Sequence, residues 1–236
     1  MRLPVAAAGV LGVGAMYFAG RELYGRKTGL IAAALLATYA WHLTFSRIAF
    51  NTMWTVALDV VAVFFVTRAL QRRSWLSAAL GGMAVGVSFH MYYTSRLTVG
   101  LIGGLLLLFL LKAPKAHWRT VLQVGLVTGL LLLLTASPVL QFAQLHPDEF
   151  NQRTDTVTIF PEVRAAGSYA PIIQNLETHL LMFNLAGDRN GRHNLPGAPE
   201  LNVLLAGLMV LGLGLSLLRA RRQLEYLLLP AWAVLM

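Results

Sequence analysis

The chain has 236 residues, of which 57% are hydrophobic and 12% charged, with a mean hydropathy of +0.63. Soluble domains carry about 25% charged residues, so this composition points to a bilayer and excludes an ordinary water-soluble fold. The formal net charge is +9, yet the basic residues sit in small clusters between apolar runs, as membrane proteins place them, and not on a nucleic-acid-binding face. Cysteine is absent, which excludes disulfides and thiolate metal sites.

Apolar runs occupy 3–20, 28–45, 53–70, 75–93, 97–111, 119–140, 201–218 and 226–236. A spanning helix needs about 20 residues. The first seven runs are read as spans, with 97–111 extended by snorkelling ends at Arg96 and Lys112. The last run stops at Met236 and is read as a span cut short. The predicted fold class is therefore all-α: a polytopic transmembrane protein with about seven full spanning helices and a truncated eighth. Three regions follow: a transmembrane region at 1–140, a polar loop region at 141–200 and a C-terminal transmembrane region at 201–236. Pro4, Pro138 and Pro230 fall at run ends, which predicts no helix broken in mid-membrane. The pairs Gly82/Gly86 and Gly125/Gly129 have the spacing that lets helices approach closely.

Charge sets the orientation. The connectors after the first, third, fifth and seventh runs carry Arg21, Arg26, Lys27, Arg68, Arg72, Arg73, Lys112, Lys115, Arg119, Arg219, Arg221 and Arg222, twelve of the nineteen basic residues. The short connectors on the other side carry Arg47 and Arg96, and Arg2 begins there. The positive-inside rule makes the first side cytoplasmic and predicts an inner- or plasma-membrane protein with 141–200 outside. The first run then travels from outside to inside with only Met1 and Arg2 before it. A secretory signal peptide has its positive end first, so that reading fails, and an upstream helix and outer loop are expected.

Residues 141–200 hold seven of the ten carboxylates and three of the six histidines. Within this region, Pro171 to Leu185 predicts an amphipathic helix with Ile172, Ile173, Leu176, Leu180 and Phe183 on one face and Gln174, Glu177 and Thr178 away from it. Such a helix lies along a membrane interface instead of crossing, as a cover for the bundle or as the wall of a lipid-substrate groove. Two polar clusters flank it, HPDEFNQR at 146–153 and GDRNGRHN at 187–194. The second has Asp188 and Asn190 at calcium-loop spacing, but Arg192 takes the next ligand position and the required glycine is missing, so it is not an EF-hand. His146 with Asp148 or Glu149 supplies only part of a metal ligand set. No metal site is assigned, and no nucleotide or cofactor fingerprint is present.

Inside the spans, Asp59 is the one deep carboxylate. An ionisable group at that depth carries a function or pairs with a neighbouring helix, and Arg47, His90 and Arg96 are its candidate partners. The connectors FSRIAFNTMW (45–54) and SFHMYYTSRLT (88–98) each set an Arg among aromatics. Arg can grip a phosphate bidentately, but Trp, Tyr and Arg are also ordinary interface residues.

These residues resemble a family. The opening RLPVAAAGVLGVGAMYFAGRELYGRKTGLIAAALLATYAWHLTFSRIAF resembles the second and third helices of the family-39 glycosyltransferases, polyprenyl-phosphate-sugar enzymes that include protein O-mannosyltransferases and lipid A aminoarabinose transferases. GRELYGRKTG is similar to their cytoplasmic turn and FSRIAF to the start of their next outer loop. GGMAVGVSFHMYYTSRLT, HPDEFNQRTDTVTIF and FNLAGDRNGRHNLPGAPELN resemble a bacterial branch. The resemblance implies a GT-C-like helical fold and an inverting transfer of a hexosyl or mannosyl unit from a polyprenyl-phosphate donor to a lipid, protein or glycan acceptor. It also implies an outer-face carboxylate as base and cationic groups on the departing phosphate. That carboxylate belongs to the family's first outer loop, so it is expected upstream of Met1. Arg47, Arg96, Arg153 and Arg192 are then candidate phosphate or sugar contacts, with His146 and Asp188 as polar lining. A transporter or flippase, and a non-catalytic scaffold, are the competing readings.

Overall fold

The computed structural model describes residues 2–48, 50–112, 114–187, 195–220 and 226, without the side chains of Lys112 and 153–157. Among these residues every regular element is helical. The first seven apolar runs each coincide with helix: α1 (Leu3–Tyr24), α2 (Arg26–Thr38) with α3 (Ala40–Arg47), α4 (Thr52–Arg72), α5 (Trp75–Ser88), α6 (Ser95–Lys112), α7 (Lys115–Leu145) and α11 (Val203–Ala220). Three shorter helices intervene before α11: α8 (Pro147–Val157), α9 (Phe160–Ala166) and α10 (Ala170–Met182). Apart from Tyr226, the last apolar run lies outside the described residues.

The protein is thus a polytopic all-α membrane protein, but the count of seven full spans is not reached among the described residues. Four helices, α1, α4, α7 and α11, are individually long and apolar enough to cross a bilayer, and α2 with α3 makes a fifth if counted as one bent crossing. With 14 residues, α5 is only about 21 Å long, short of the roughly 30 Å hydrocarbon core.

Two backbone features depart from expectation. α2 and α3 meet at 58°, around Tyr39 in an extended conformation (φ −73°, ψ 124°). No proline is involved. The Thr38 hydroxyl donates to the Ala34 and Leu35 carbonyls at 3.0 and 3.2 Å, a side-chain bond that competes with regular helix. Pro138, conversely, lies inside α7 and does not end it. Its missing N–H would have served the Leu134 carbonyl, and the Ser137 hydroxyl donates to that oxygen instead at 2.8 Å.

The chain forms two units, Met1–Leu140 with Ser216–Met236, and Gln141–Leu215. In the first, small residues decide the packing. On α1 the buried positions are Val5, Ala8, Gly9, Gly12, Ala15, Ala19 and Gly20, a helical stripe almost without side-chain volume, so neighbouring backbones come close. A Cβ on Gly20 would sit 2.9 Å from the Gly29 Cα. α5 buries Ser77, Ala78, Gly81, Gly82, Ala84, Val85, Gly86 and Ser88. Cβ atoms at Gly82 and Gly86 would run into the Thr128 carbonyl and the Thr135 side chain of α7, whereas Gly129 faces open space. Of the two predicted glycine pairs, only Gly82/Gly86 is a tight helix contact.

The contacts also give each helix a direction. Val5 packs with Met53 at the start of α1 and α4, and at their far ends Glu22 receives Arg72 at 2.8 Å and lies 3.8 Å from Arg68. α1 and α4 therefore run parallel, and the bent α2–α3 pair must carry the chain back between them. α5 returns against α4, joining Ala78 to Ala69 and Ser88 to Asp59. α6 runs with α4, placing Ile102 and Leu105 among Ala62, Val66, Ala84 and Val85. α7 lies alongside α5, with Val124 beside Ala69 and Ala78. The Thr128 hydroxyl donates to the Ala78 carbonyl at 3.2 Å. One end of this bundle thus collects the end of α3, the start of α4 and the α5–α6 loop. The other collects Glu22, Arg68 and Arg72.

The second unit is built differently. α9 and α10 bury no residue. α8 opens on Pro147 with Asp148 and Glu149 in its first turn, a favourable placement for proline and for negative charge at a helix N-terminus. After α10 the backbone folds back, with Glu200 N–H donating to the Met182 carbonyl and Leu201 N–H to that of Phe183, both at 3.0 Å. The predicted amphipathic helix forms as α10, and Ile173, Leu176 and Leu180 are each about two-thirds exposed (66%, 59% and 66%).

Candidate functional site

One end of the first unit carries the two Arg-containing connectors and, with them, the candidates Arg47 and Arg96. Arg47 is the last residue of α3, a position that favours a cation because the helix dipole ends there, and it is exposed. Arg96 stands in the first turn of α6, half-buried, with its N–H donating to the Tyr93 carbonyl at 3.2 Å.

Sequence reading put the two connectors on one side and named no contact between them. The structure joins them through a line of rings: Trp41 to Phe45 at 5.2 Å between centroids, Phe45 to Phe50 at 5.8 Å, Phe50 to Tyr92 at 5.8 Å and Tyr92 to Tyr93 at 4.6 Å. These separations lie in the range of favourable aromatic pairing. The signal in the sequence was the shared composition of the stretches; their adjacency requires α4 and α5 to run antiparallel.

Beneath this aromatic line lies Asp59, seven residues into α4 from Thr52 and so roughly 10 Å below its start. Its partners are not Arg47, His90 or Arg96. The Ser88 hydroxyl donates to Asp59 Oδ1 at 2.9 Å, and the Thr98 side chain is the other polar group beside the carboxyl. Deep carboxyl groups need polar partners, and in this place hydroxyls from two neighbouring helices meet that need. His90 is engaged elsewhere, its Nε2 lying 2.9 Å from the Thr135 carbonyl of α7. His42, buried on α3, has Nε2 3.1 Å from the Gly9 carbonyl of α1. Both histidines tie helices together.

The remaining candidates belong to the second unit. His146 links α7 to α8; it stacks on Phe142 at 4.9 Å, and its Nδ1 lies 3.5 Å from Glu149 Oε1. Both partners of that pair are well exposed, so it contributes little to stability. Among the described residues no three His, Asp or Glu side chains gather as a metal site. Arg153 falls within α8 with its side chain undescribed, and Asp188 and Arg192 lie outside the described residues.

The feature that sequence reading missed is Glu22. Arg72 grips it through two bonds, Nε to Oε1 at 2.8 Å and Nη2 to Oε2 at 3.2 Å, and its side chain is only 6% exposed. Its spacing from Arg68 and Arg72 in sequence gave no cue to the pairing.

A family model described as dolichyl-phosphate-mannose-protein mannosyltransferase matches residues 1–142. No curated protein and no solved structure matches the chain.

Proposed function

Because this chain belongs to the dolichyl-phosphate-mannose-protein mannosyltransferase family, a family of membrane glycosyltransferases, we propose that it takes part in moving a sugar from a polyprenyl-phosphate donor to an acceptor at the outer face of the membrane. The observation that carries this reading is the family match itself, which covers the connectors bearing Arg47 and Arg96. The Lys and Arg distribution supports the sidedness: the end holding Glu22, Arg68 and Arg72 is cytoplasmic, and the aromatic end faces out.

In this reading the outer end holds the donor. Arg47 and Arg96 place guanidinium forks where a lipid phosphate lies at the interface, and cationic donors stabilise the charge that grows on that phosphate as the anomeric bond breaks. A carboxylate takes the proton of the acceptor hydroxyl as it attacks. The connectors 45–54 and 88–98 contain no Asp or Glu, so they bind and orient while the base comes from another segment. In the same reading Arg153 and Arg192 are further candidate phosphate or sugar contacts, and His146 and Asp188 candidate polar lining.

The bend at Tyr39 is a feature that favours a transporter, since broken helices build many transport sites. The test is an assay of the full-length protein in vesicles with a polyprenyl-phosphate mannose donor and separate readouts of transfer and uptake. The expected result is sugar transfer that falls about tenfold or more in Arg47→Ala and Arg96→Ala, as loss of a charge-assisted phosphate contact implies. Uptake without transfer would sink the proposal.

A further inference from the structure

We propose that Asp59 is a positioning residue that staples both ends of the α5–α6 loop to α4, and so sets where Tyr92, Tyr93 and Arg96 stand at the outer end of the bundle. The link to donor binding rests on the transferase reading; the stapling itself does not.

The argument begins with where the two hydroxyls lie. Ser88 is the last residue of α5 and Thr98 lies in the first turn of α6, so Asp59's two partners bracket one loop, 89–94. A simple tie between helices would be as useful anywhere along their shared face. Each end is also sealed from solvent: Ser88 is fully buried, and Ser95 and Thr98 are 1% and 6% exposed.

The bonds inside the loop extend the same anchor. The Ser88 carbonyl accepts from Met91 N–H at 2.9 Å. The Ser95 hydroxyl donates to the Tyr92 carbonyl at 2.8 Å, and that carbonyl also accepts from Ser95 N–H at 3.2 Å. Fixing Ser88 and the start of α6 therefore fixes Tyr92 from both sides, and the Tyr92 ring reaches the other connector at Phe50. His90 adds a second tether, to α7. Short loops with few bonds open locally at little cost, whereas this one has a polar anchor below it and a ring contact above. Losing the acceptor would leave the buried Ser88 hydroxyl unpaired and Thr98 without its polar neighbour, a cost that local opening of the loop relieves.

The experiment compares Asp59→Asn with Asp59→Leu in the full chain, by hydrogen exchange in lipid discs and by donor kinetics. Asn still offers a carbonyl oxygen and an amide to the two hydroxyls; Leu offers neither at similar volume. For Asp59→Leu, amides 90–96 should exchange about tenfold faster, as loss of a buried hydrogen-bond acceptor implies, while α1 and α2 amides keep wild-type rates. Donor KM should rise by a comparable factor and kcat should change little, because a misplaced loop weakens ground-state and transition-state binding alike. Asp59→Asn should restore both readouts. Ser88→Ala and Thr98→Val, each removing one hydroxyl, give the same pattern in smaller measure and serve if Asp59→Leu fails to fold. Wild-type loop exchange in Asp59→Leu or Ser88→Ala would overturn the proposal, as would an Asn variant as impaired as Leu. If the wild-type protein transfers no sugar, the transferase reading fails while loop exchange still decides the staple.

Discussion

Residues 1–140 and the segment from Gln141 to Leu215 are both helical, but they use helix in opposite ways. In the first, α1, α4 and α5 bury stripes of Gly, Ala, Ser and Thr against one another, and many of their large apolar side chains point outward, as Val10, Leu11, Val56 and Leu76 do. In lipid this inversion is sensible: large side chains are solvated by acyl chains, and association comes from close backbone packing and interhelical hydrogen bonds. In the second, α9 and α10 bury nothing among the described residues, and Ile173, Leu176 and Leu180 of α10 are left exposed. The same helix propensity yields a packed bundle or exposed helices depending on whether small residues align.

The sharpest way to break this contrast is at Gly82. Gly82→Leu puts a side chain against the Thr128 carbonyl backbone, and overpacking of this kind costs about 1–3 kcal/mol or more. Folded yield in detergent should collapse, while Gly129→Leu, on a face open to lipid, should express like the parent. Equal yields would mean α5 and α7 do not meet at that point. Next in size is Glu22→Gln. It removes a buried charge-assisted pairing with Arg72 and Arg68, and because those arginines are partly exposed (52% and 36%) the loss is about 1–2 kcal/mol. Thermal unfolding followed by a label on α4 measures it, and an unchanged midpoint would remove Glu22 from the account.

The second unit should respond far less. Ile173→Ser and Leu180→Ser alter exposed positions of α10, and surface changes of this sort shift stability by roughly 0.5 kcal/mol or less. Their effect should appear with lipid. An environment-sensitive dye at Leu176, introduced through a single cysteine in a chain that otherwise has none, should shift to the blue on reconstitution, and the same dye at Glu177 should shift less. Equal spectra at both positions would mean that α10 does not lie on the interface.

Composition, run length and charge were enough to establish an all-helical membrane protein, the place of nearly every long helix, and the clustering of basic residues at one end of the bundle. Those properties are local or additive: hydropathy is summed over a window, and helix in a bilayer is obligatory because its backbone must satisfy itself. Seeing Arg47 and Arg96 as members of the same end also needed only the alternation of helices. What tertiary structure decided was pairing. The bend at Tyr39 carries no proline, and Pro138 does not break α7, because side-chain hydroxyls of Thr38 and Ser137 take up backbone carbonyls nearby. Glu22 finds arginines about fifty residues away, and Asp59 finds Ser88 twenty-nine residues on instead of a cation. A buried polar group accepts whichever donor the packed helices bring within hydrogen-bond reach, and that depends on the rotation of each helix about its axis, which no window along the chain records.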